Sequence, residues 1–267
     1  MTELDLPALG LGTSANDDFE ECAETVRTAL ETGYRHVDTA QMYDNEEAVG
    51  EGIRRADVPR EEVVVATKVH PDNLAYEDAK RTARESLERL GLDSVDLLYV
   101  HWPISAYDPE GSLRAMDELH ESGLCDHVGL SNFTPDLLDE ARAVLDAPVA
   151  AHQVECHPLF PQSELREYAV EHGHYLVGYS PLGRGEALDD PLLTEIAEKH
   201  DTSTAAVCLA WAFAQEALVP IPKATGEHVR ANFEAQELEL DEADLDRIAG
   251  YDVRERVIDP DDAAWNR

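Results

Sequence analysis

Lysine is nearly missing from this 267-residue chain: Lys68, Lys80, Lys199 and Lys223 are the only four. With arginine they make 21 basic residues against 57 acidic ones, a formal net charge of -36. Such a surface repels nucleic-acid phosphate and anionic lipid, which need a basic patch, so neither is expected as a partner. The acids are interspersed with apolar residues along the whole length, so they read as solvated helix faces and not as a disordered tail. This composition fits adaptation to molar salt, a halophilic habit, because there the Debye length falls to about 3 Å and self-repulsion of the fold is screened.

Cysteine is scarce and scattered. Cys22, Cys125, Cys156 and Cys208 have no C-x-x-C spacing, which argues against a zinc site or a disulfide framework and leaves them as packing residues. No apolar run approaches the roughly eighteen residues of a membrane helix, and Met1 to Asp5 offer neither basic region nor apolar core for a secretory signal. A soluble, cytoplasmic monomer is expected, and the Asn132-Phe133-Thr134 sequon is then accidental. A G-x-G-x-x-G fingerprint is absent too: Gly10 and Gly12 begin one that no third glycine completes, and there is no phosphate loop. That sets aside the open doubly wound sheet with its usual dinucleotide site, so any cofactor is held another way.

What is present is alternation. Short apolar runs and amphipathic segments succeed one another without linker or repeat, the pattern of parallel strands joined by helical crossovers. The length matches one barrel, so the expectation is an α/β fold, a (β/α)8 TIM barrel spanning 1–267 as a single domain, with a short N-terminal hairpin and one or two extra helices. Strands are expected at 9–13, 35–38, 63–68, 95–101, 127–131, 149–155, 175–180 and 218–223. In the first helix Phe19, Cys22, Ala23, Val26, Ala29 and Leu30 form one stripe after the capping candidates Asp17 and Asp18, and Gly33 stops it. Thr134 and Pro135 similarly cap and open the helix carrying Leu138, Ala141 and Leu145. Between the last two strands lie two helical segments, 190–200 and 203–214, one more than the barrel needs.

A barrel of this kind gathers its active site at the C-terminal strand ends. Read there, the sequence places Asp38 at the end of strand two with Tyr43 just beyond, Lys68 at strand three and His101 at strand four. Ser131 and Asn132 follow at strand five, Gln153 at six, Tyr179 and Ser180 at seven, and Lys223 at eight. A free tyrosine titrates near about 10, too high for an efficient acid at neutral pH, and a neighbouring ammonium favours its phenolate. Lys68 would supply that charge, Asp38 would hold Lys68 charged, and His101 would hydrogen-bond and align a carbonyl. The group suits protonation of an oxygen as hydride reaches carbon. It suits an inert core poorly, because a lone buried Lys or Asp costs several kcal/mol.

A metal-dependent barrel hydrolase would also set His and Asp at strand ends, and His152, Cys156 and His157 invite that thought. Residues five apart on a strand point to opposite faces, so no metal site is expected.

The segment from Gly33 through Asp38, Tyr43 and Glu46 to Gly50 resembles the first signature of the aldo-keto reductases in full. Thr67-Lys68, His101-Trp102-Pro103, Gly129 to Phe133, Gln153, Tyr179 to Leu182 and Ile221-Pro222-Lys223 follow in that family's order, and the short connecting loops are similar to those of bacterial 2,5-diketo-D-gluconate and methylglyoxal reductases. The resemblance implies an NADPH-dependent reductase of aldehyde or ketone carbonyls, with NADH the alternative cofactor. Tyr43 would be the general acid, Lys68 and Asp38 its tuning pair, and His101 the orienting group. Gly12, Thr13, Ser180, Leu182, Thr225 and His228 would join the cofactor site, with Tyr179 stacked on the nicotinamide and Ser131, Asn132 and Gln153 on its carboxamide. Lys223 would meet the 2'-phosphate and Asn232 the adenine. The chain departs from the pattern at Ala224, where a hydroxyl residue is usual, in a segment one residue shorter up to Asn232, and at His228, near an expected arginine. Trp102, Trp265 and His70, the last in place of a common aromatic, would wall the substrate pocket, which fits small polar substrates such as keto sugar acids or α-ketoaldehydes. A cofactor-binding redox sensor without turnover is the alternative function.

Overall fold

The computed structural model describes residues 4–266. Eight parallel strands run in sequence order: β1 (Leu11–Gly12), β2 (His36–Asp38), β3 (Val64–Val69), β4 (Val95–Val100), β5 (Cys125–Ser131), β6 (Val149–Glu155), β7 (Tyr175–Tyr179) and β8 (Leu218–Pro220). Gly10 and Gly12 donate backbone hydrogen bonds to Pro220 and Pro222 at 3.0 and 3.1 Å, and Gly12 bridges Lys223, which closes the last strand onto the first. Glycine is required at Gly12, since a Cβ there would lie 2.7 Å from the Ile221 carbonyl oxygen.

The barrel interior has its own apolar cluster, built from Ala66, Leu97, Tyr99, Ala151, Val177, Val219 and Ile221. Alternation along each strand sends these side chains inward. Gly129 leaves room for Tyr99, whose ring a Cβ there would meet at 2.4 Å. No strand precedes β1 among the described residues, so the expected N-terminal hairpin does not form. Leu6 instead joins the interior cluster together with Val64 and Tyr175, the first residues of β3 and β7, and plugs the N-terminal end.

The larger core lies between strands and the surrounding helices α1 (Phe19–Thr32), α2 (Glu46–Arg55), α3 (Tyr76–Leu90), α4 (Pro109–Glu121), α5 (Pro135–Val144), α6 (Ser163–His172), α7 (Pro191–Lys199), α8 (Thr204–Phe213), α9 (Glu227–Glu234) and α10 (Glu242–Ala249). In α1, Asp18 accepts from the Glu21 N–H at 2.9 Å, and the stripe from Cys22 to Leu30 is buried as the spacing requires. Phe19 departs from it at 44% exposed, because its first-turn position lies beyond the edge of the packed face. Gly33 ends the helix at φ 128°, with Phe233 against it. Thr134 caps α5 as read from the sequence. The two segments between β7 and β8 are α7 and α8. Helix α8 packs on β8 and is covered in turn by α7 and α9, which is why residues 207–212 are buried on every face. The second extra helix, α10, rests on α7. No helix among the described residues is long and apolar enough to cross a membrane.

Candidate active site

Tyr43 closes a one-turn helix, Gln41–Tyr43, directly after β2, and the chain turns through a left-handed Asp44 (φ 54°) to enter α2. Two side chains at the start of that helix hold the turn. Asn45 donates to the Thr13 carbonyl at 2.8 Å and accepts from the Thr39 hydroxyl at 2.9 Å, tying β1 to the turn. Glu46, 2% exposed, accepts from Thr67 and is paired with Arg89 at 2.6 Å, tying the turn to β3 and α3. Gln41 takes the His70 N–H at 2.9 Å. Asn45 stands at the N-cap of α2 but makes no side-chain cap bond there.

Beneath the turn, the Lys68 ammonium donates to Asp38 and, at 2.7 Å, to the Thr39 carbonyl, and it lies 3.5 Å from the Tyr43 hydroxyl. Lys68 is wholly buried and Asp38 is 1% exposed. The second Asp38 oxygen accepts from the Gln153 amide at 2.7 Å, so the carboxylate is held from both sides. Burial pulls the Lys68 ammonium down, and Asp38 and Tyr43 together more than offset it, leaving Lys68 above its ordinary value and charged. Burial pushes the Tyr43 phenol up, and the charge of Lys68 pulls it back only in part. The lowering expected from the sequence is thus present but outweighed, and Tyr43 stays protonated at neutral pH. His101 meets the Tyr43 ring edge-on, centroids 5.8 Å apart. Burial and then Lys68 hold its imidazole well below the usual range, hence neutral with one N–H to donate.

Asp38, Tyr43 and His101 border a cavity of about 630 Å³, the size of a small-molecule site, with Lys68 buried behind them. Gly12, Thr13, Asp38, Tyr43, His101, Trp102, Asn132, Gln153, Tyr179, Ser180, Leu182 and Lys223 all line it as the sequence placed them. Ser131 does not: it is fully buried, donating to the Gln153 carbonyl at 2.9 Å and accepting from Asn132. The Asn132 amide is committed as well, donating to the His101 carbonyl at 3.0 Å and accepting from the Tyr179 hydroxyl at 2.9 Å. Three residues expected to face a carboxamide are therefore wired to one another, and only Asn132 and Gln153 border the cavity. Thr225 and His228 lie at the start of α9 and Asn232 within it, buried, none of them on the wall. His70 is off the wall too, its Nδ1 accepting the Asp72 N–H at 3.1 Å to cap the next turn. Trp265 does fold back, packing on Trp102 at 5.6 Å behind the wall. His152 accepts from the Phe133 N–H at 3.3 Å, and His157 lies past the end of β6 beside Glu155.

Sequence reasoning missed Arg184, Gly185 and Leu188, which complete the wall from the turn after β7, and also Ile258. That turn doubles back through four positive φ angles, Ser180 (49°), Gly183 (55°), Arg184 (53°) and Gly185 (107°). Only the two glycines could have signalled it.

A family model described as the aldo/keto reductase family matches residues 8–252. The chain belongs to that family. It is an oxidoreductase whose family works with a nicotinamide cofactor. It is 39% identical over 263 residues to methylglyoxal reductase DkgB of Salmonella typhi, covering 97% of this chain and 98% of that one. Identity to the glyoxal reductase of Bacillus subtilis is 38% over 255 residues, 95% and 92% of the two chains. Among solved structures, one described as a putative 2,5-diketo-D-gluconic acid reductase B superposes with a TM-score of 0.92 at 35% identity, covering 97% of this chain and 92% of that one. An aldo-keto reductase of Bombyx mori in complex with NADP superposes at 0.88 with 31% identity, covering 96% and 92%.

Proposed function

We propose that this chain reduces aldehyde and ketone carbonyls of small polar substrates, α-ketoaldehydes or keto sugar acids, with NADPH preferred over NADH. The observation that carries this reading is the Tyr43 hydroxyl 3.5 Å from a buried Lys68 that is locked to Asp38, with His101 alongside. The cavity suits an extended cofactor: Tyr179 offers an aromatic face and Gln153 an amide near the Tyr43 end, while Lys223 and Arg184 supply positive charge on the same wall. When bound, a nicotinamide cofactor would supply the hydride. His101 donates a hydrogen bond that draws the carbonyl oxygen toward Tyr43, and Tyr43 gives its proton to that oxygen as negative charge develops there. Lys68, itself held charged by Asp38, stabilises the phenolate left behind. Trp102 and Met42 bound the substrate end and limit water. The names of the relatives support small dicarbonyl or keto-acid substrates. A sensor without turnover would have no use for this proton-donating group, so reduction is the favoured function.

The test is a panel of carbonyl substrates with NADPH and NADH, run on the wild type and Tyr43→Phe. Loss of the general acid should lower kcat by about 10²–10⁴ while cofactor binding persists. Unchanged turnover in the variant would remove the proposed acid and the mechanism with it.

A further inference from the structure

Past α10 the chain returns to the mouth of the barrel as a strap, residues 255–266, where a buried acid meets it. Glu155, the last residue of β6, is 1% exposed. Its two carboxylate oxygens accept the backbone N–H groups of Val257 and Ile258 at 2.7 and 2.8 Å, and His157 Nε2 lies 3.1 Å from the first oxygen. One step along, the Glu255 N–H donates to the Leu159 carbonyl at 2.9 Å. A carboxylate taken out of water needs donors in its place, and two of the three here come from the strap. Lifting the strap would strip Glu155 of both amides at once, so acid and strap hold each other.

The pinned segment carries the outer part of the substrate end. Ile258 borders the cavity. The Arg256 guanidinium lies between the rings of Phe160 and Trp265, 4.4 and 3.8 Å from their centroids. Trp265, fixed by a 2.8 Å hydrogen bond to Asp259, packs in turn on Trp102.

We infer that Glu155 is a positioning residue that sets the size of the substrate end by pinning residues 255–266 behind Trp102. This rests on reading the Tyr43 end of the cavity as the carbonyl site. Glu155 is not itself on the cavity wall, and its influence passes through Ile258 and Trp265. Weakening the pin therefore alters substrate fit and leaves cofactor binding and the proton donor alone.

Glu155→Gln in the full chain keeps the shape but removes the charge and turns an amide donor toward a backbone N–H. KM for a three-carbon ketoaldehyde should rise about tenfold, roughly the loss of one charge-assisted hydrogen bond, with kcat and NADPH affinity held within about threefold. The preference for that substrate over benzaldehyde should narrow, and trypsin should cut after Arg254 and Arg256 faster. Val257→Pro deletes one donor from the strap side without touching the buried acid or the barrel; it should shift KM in the same direction and speed trypsin cleavage after Arg254, the bond after Arg256 being closed to trypsin once proline follows it. The double variant should fall short of the product of the two effects. An unchanged KM in both variants would overturn the proposal, even if trypsin cleavage rises. So would kcat or cofactor losses as large as the change in KM, since they mark a general loss of structure. Failure of the wild type to reduce any carbonyl would sink the functional reading and the substrate role with it, while the trypsin comparison would still decide whether Glu155 pins the strap.

Discussion

The strand ends that floor the cavity and the segments that roof it are held by different physics. On the floor, Lys68, Asp38, Gln153, Ser131 and Asn132 are at most 1% exposed and linked through their side chains, with the Gln153 carbonyl joining Ser131 to the rest, so each fixes its neighbour in a low-dielectric setting. The roof, residues 183–189 and 255–266, is held by left-handed turns, by strap N–H groups that donate to the one carboxylate of Glu155 and by ring contacts around Arg256, and includes exposed side chains such as Arg184 and Leu188. Tyr43 and the Lys68–Asp38 pair are thus in place by virtue of the barrel itself. On the proposed function, the roof adds to ligand fit from segments that can be altered without disturbing the floor.

The sharpest break of this contrast is Lys68→Met. It leaves Asp38 buried without its cation, a cost of about 3–5 kcal/mol when one partner of such a pair is removed. Turnover should fall by at least about 10² as well, because the phenolate loses its stabilising charge. Denaturant midpoints and kcat measured together check this, and a variant as stable as wild type would show that the floor is not interlocked as described.

Histidines are buried beneath and behind the floor. His36, two residues before Asp38 on β2, is fully buried, and neither ring nitrogen meets a partner among the described residues. Burial holds His36 down to about 4. His152 and His174, behind β6, are lowered by burial to about 3 and about 4. Each is neutral when folded and protonates near about 6.5 when unfolded, so the unfolded chain binds more protons across that interval. Stability is therefore full above about pH 6.5 and falls as the pH drops toward 4. His36→Met should reduce the slope of stability against pH in this window by up to about 1.4 kcal/mol per pH unit. Denaturant titrations at successive pH values measure the slope, and an unaltered slope would mean that His36 does not drive the acid loss.

The same division governs how much the sequence discloses. Strand ends are legible because apolar runs stop there, and the ends of those runs suffice to locate Asp38, Lys68, His101 and Gln153. Their pairings are less legible. Nothing in the spacing says that Ser131 and Asn132 bond to each other, or that Asn45 and Glu46 brace the Tyr43 turn and do not cap α2, since such pairings depend on distances across the barrel. Leu6 lies in a segment that reads as a hairpin because apolar alternation alone does not distinguish an edge strand from a plug. The roof is nearly silent: positive φ at Ser180 and Arg184 carries no residue signature, and the partner of Glu155 lies 102 residues away.

Arg184 is where the roof can be tested with least disturbance below. It borders the cavity, as does Lys223, and neither joins an ion pair among the described residues of a chain with 57 acids. Two cations left without carboxylates on one wall, in so acidic a molecule, point to an anionic ligand such as a cofactor phosphate. At φ 53° the Arg184 backbone also sits where glycine is at ease. Arg184→Gly therefore deletes the charge while relaxing the turn, and stability should change by no more than about 1 kcal/mol. The dissociation constants of NADPH and NADH should both rise about three- to tenfold, with kcat at saturation unchanged, and the effect should shrink as salt screens the charge. Lys223→Met should instead weaken NADPH more than NADH, because only the former carries the extra phosphate. If Arg184→Gly lowered kcat or unfolded the protein with cofactor affinity intact, the turn would belong to the floor, and the division between the two regions would fail at the point where they meet.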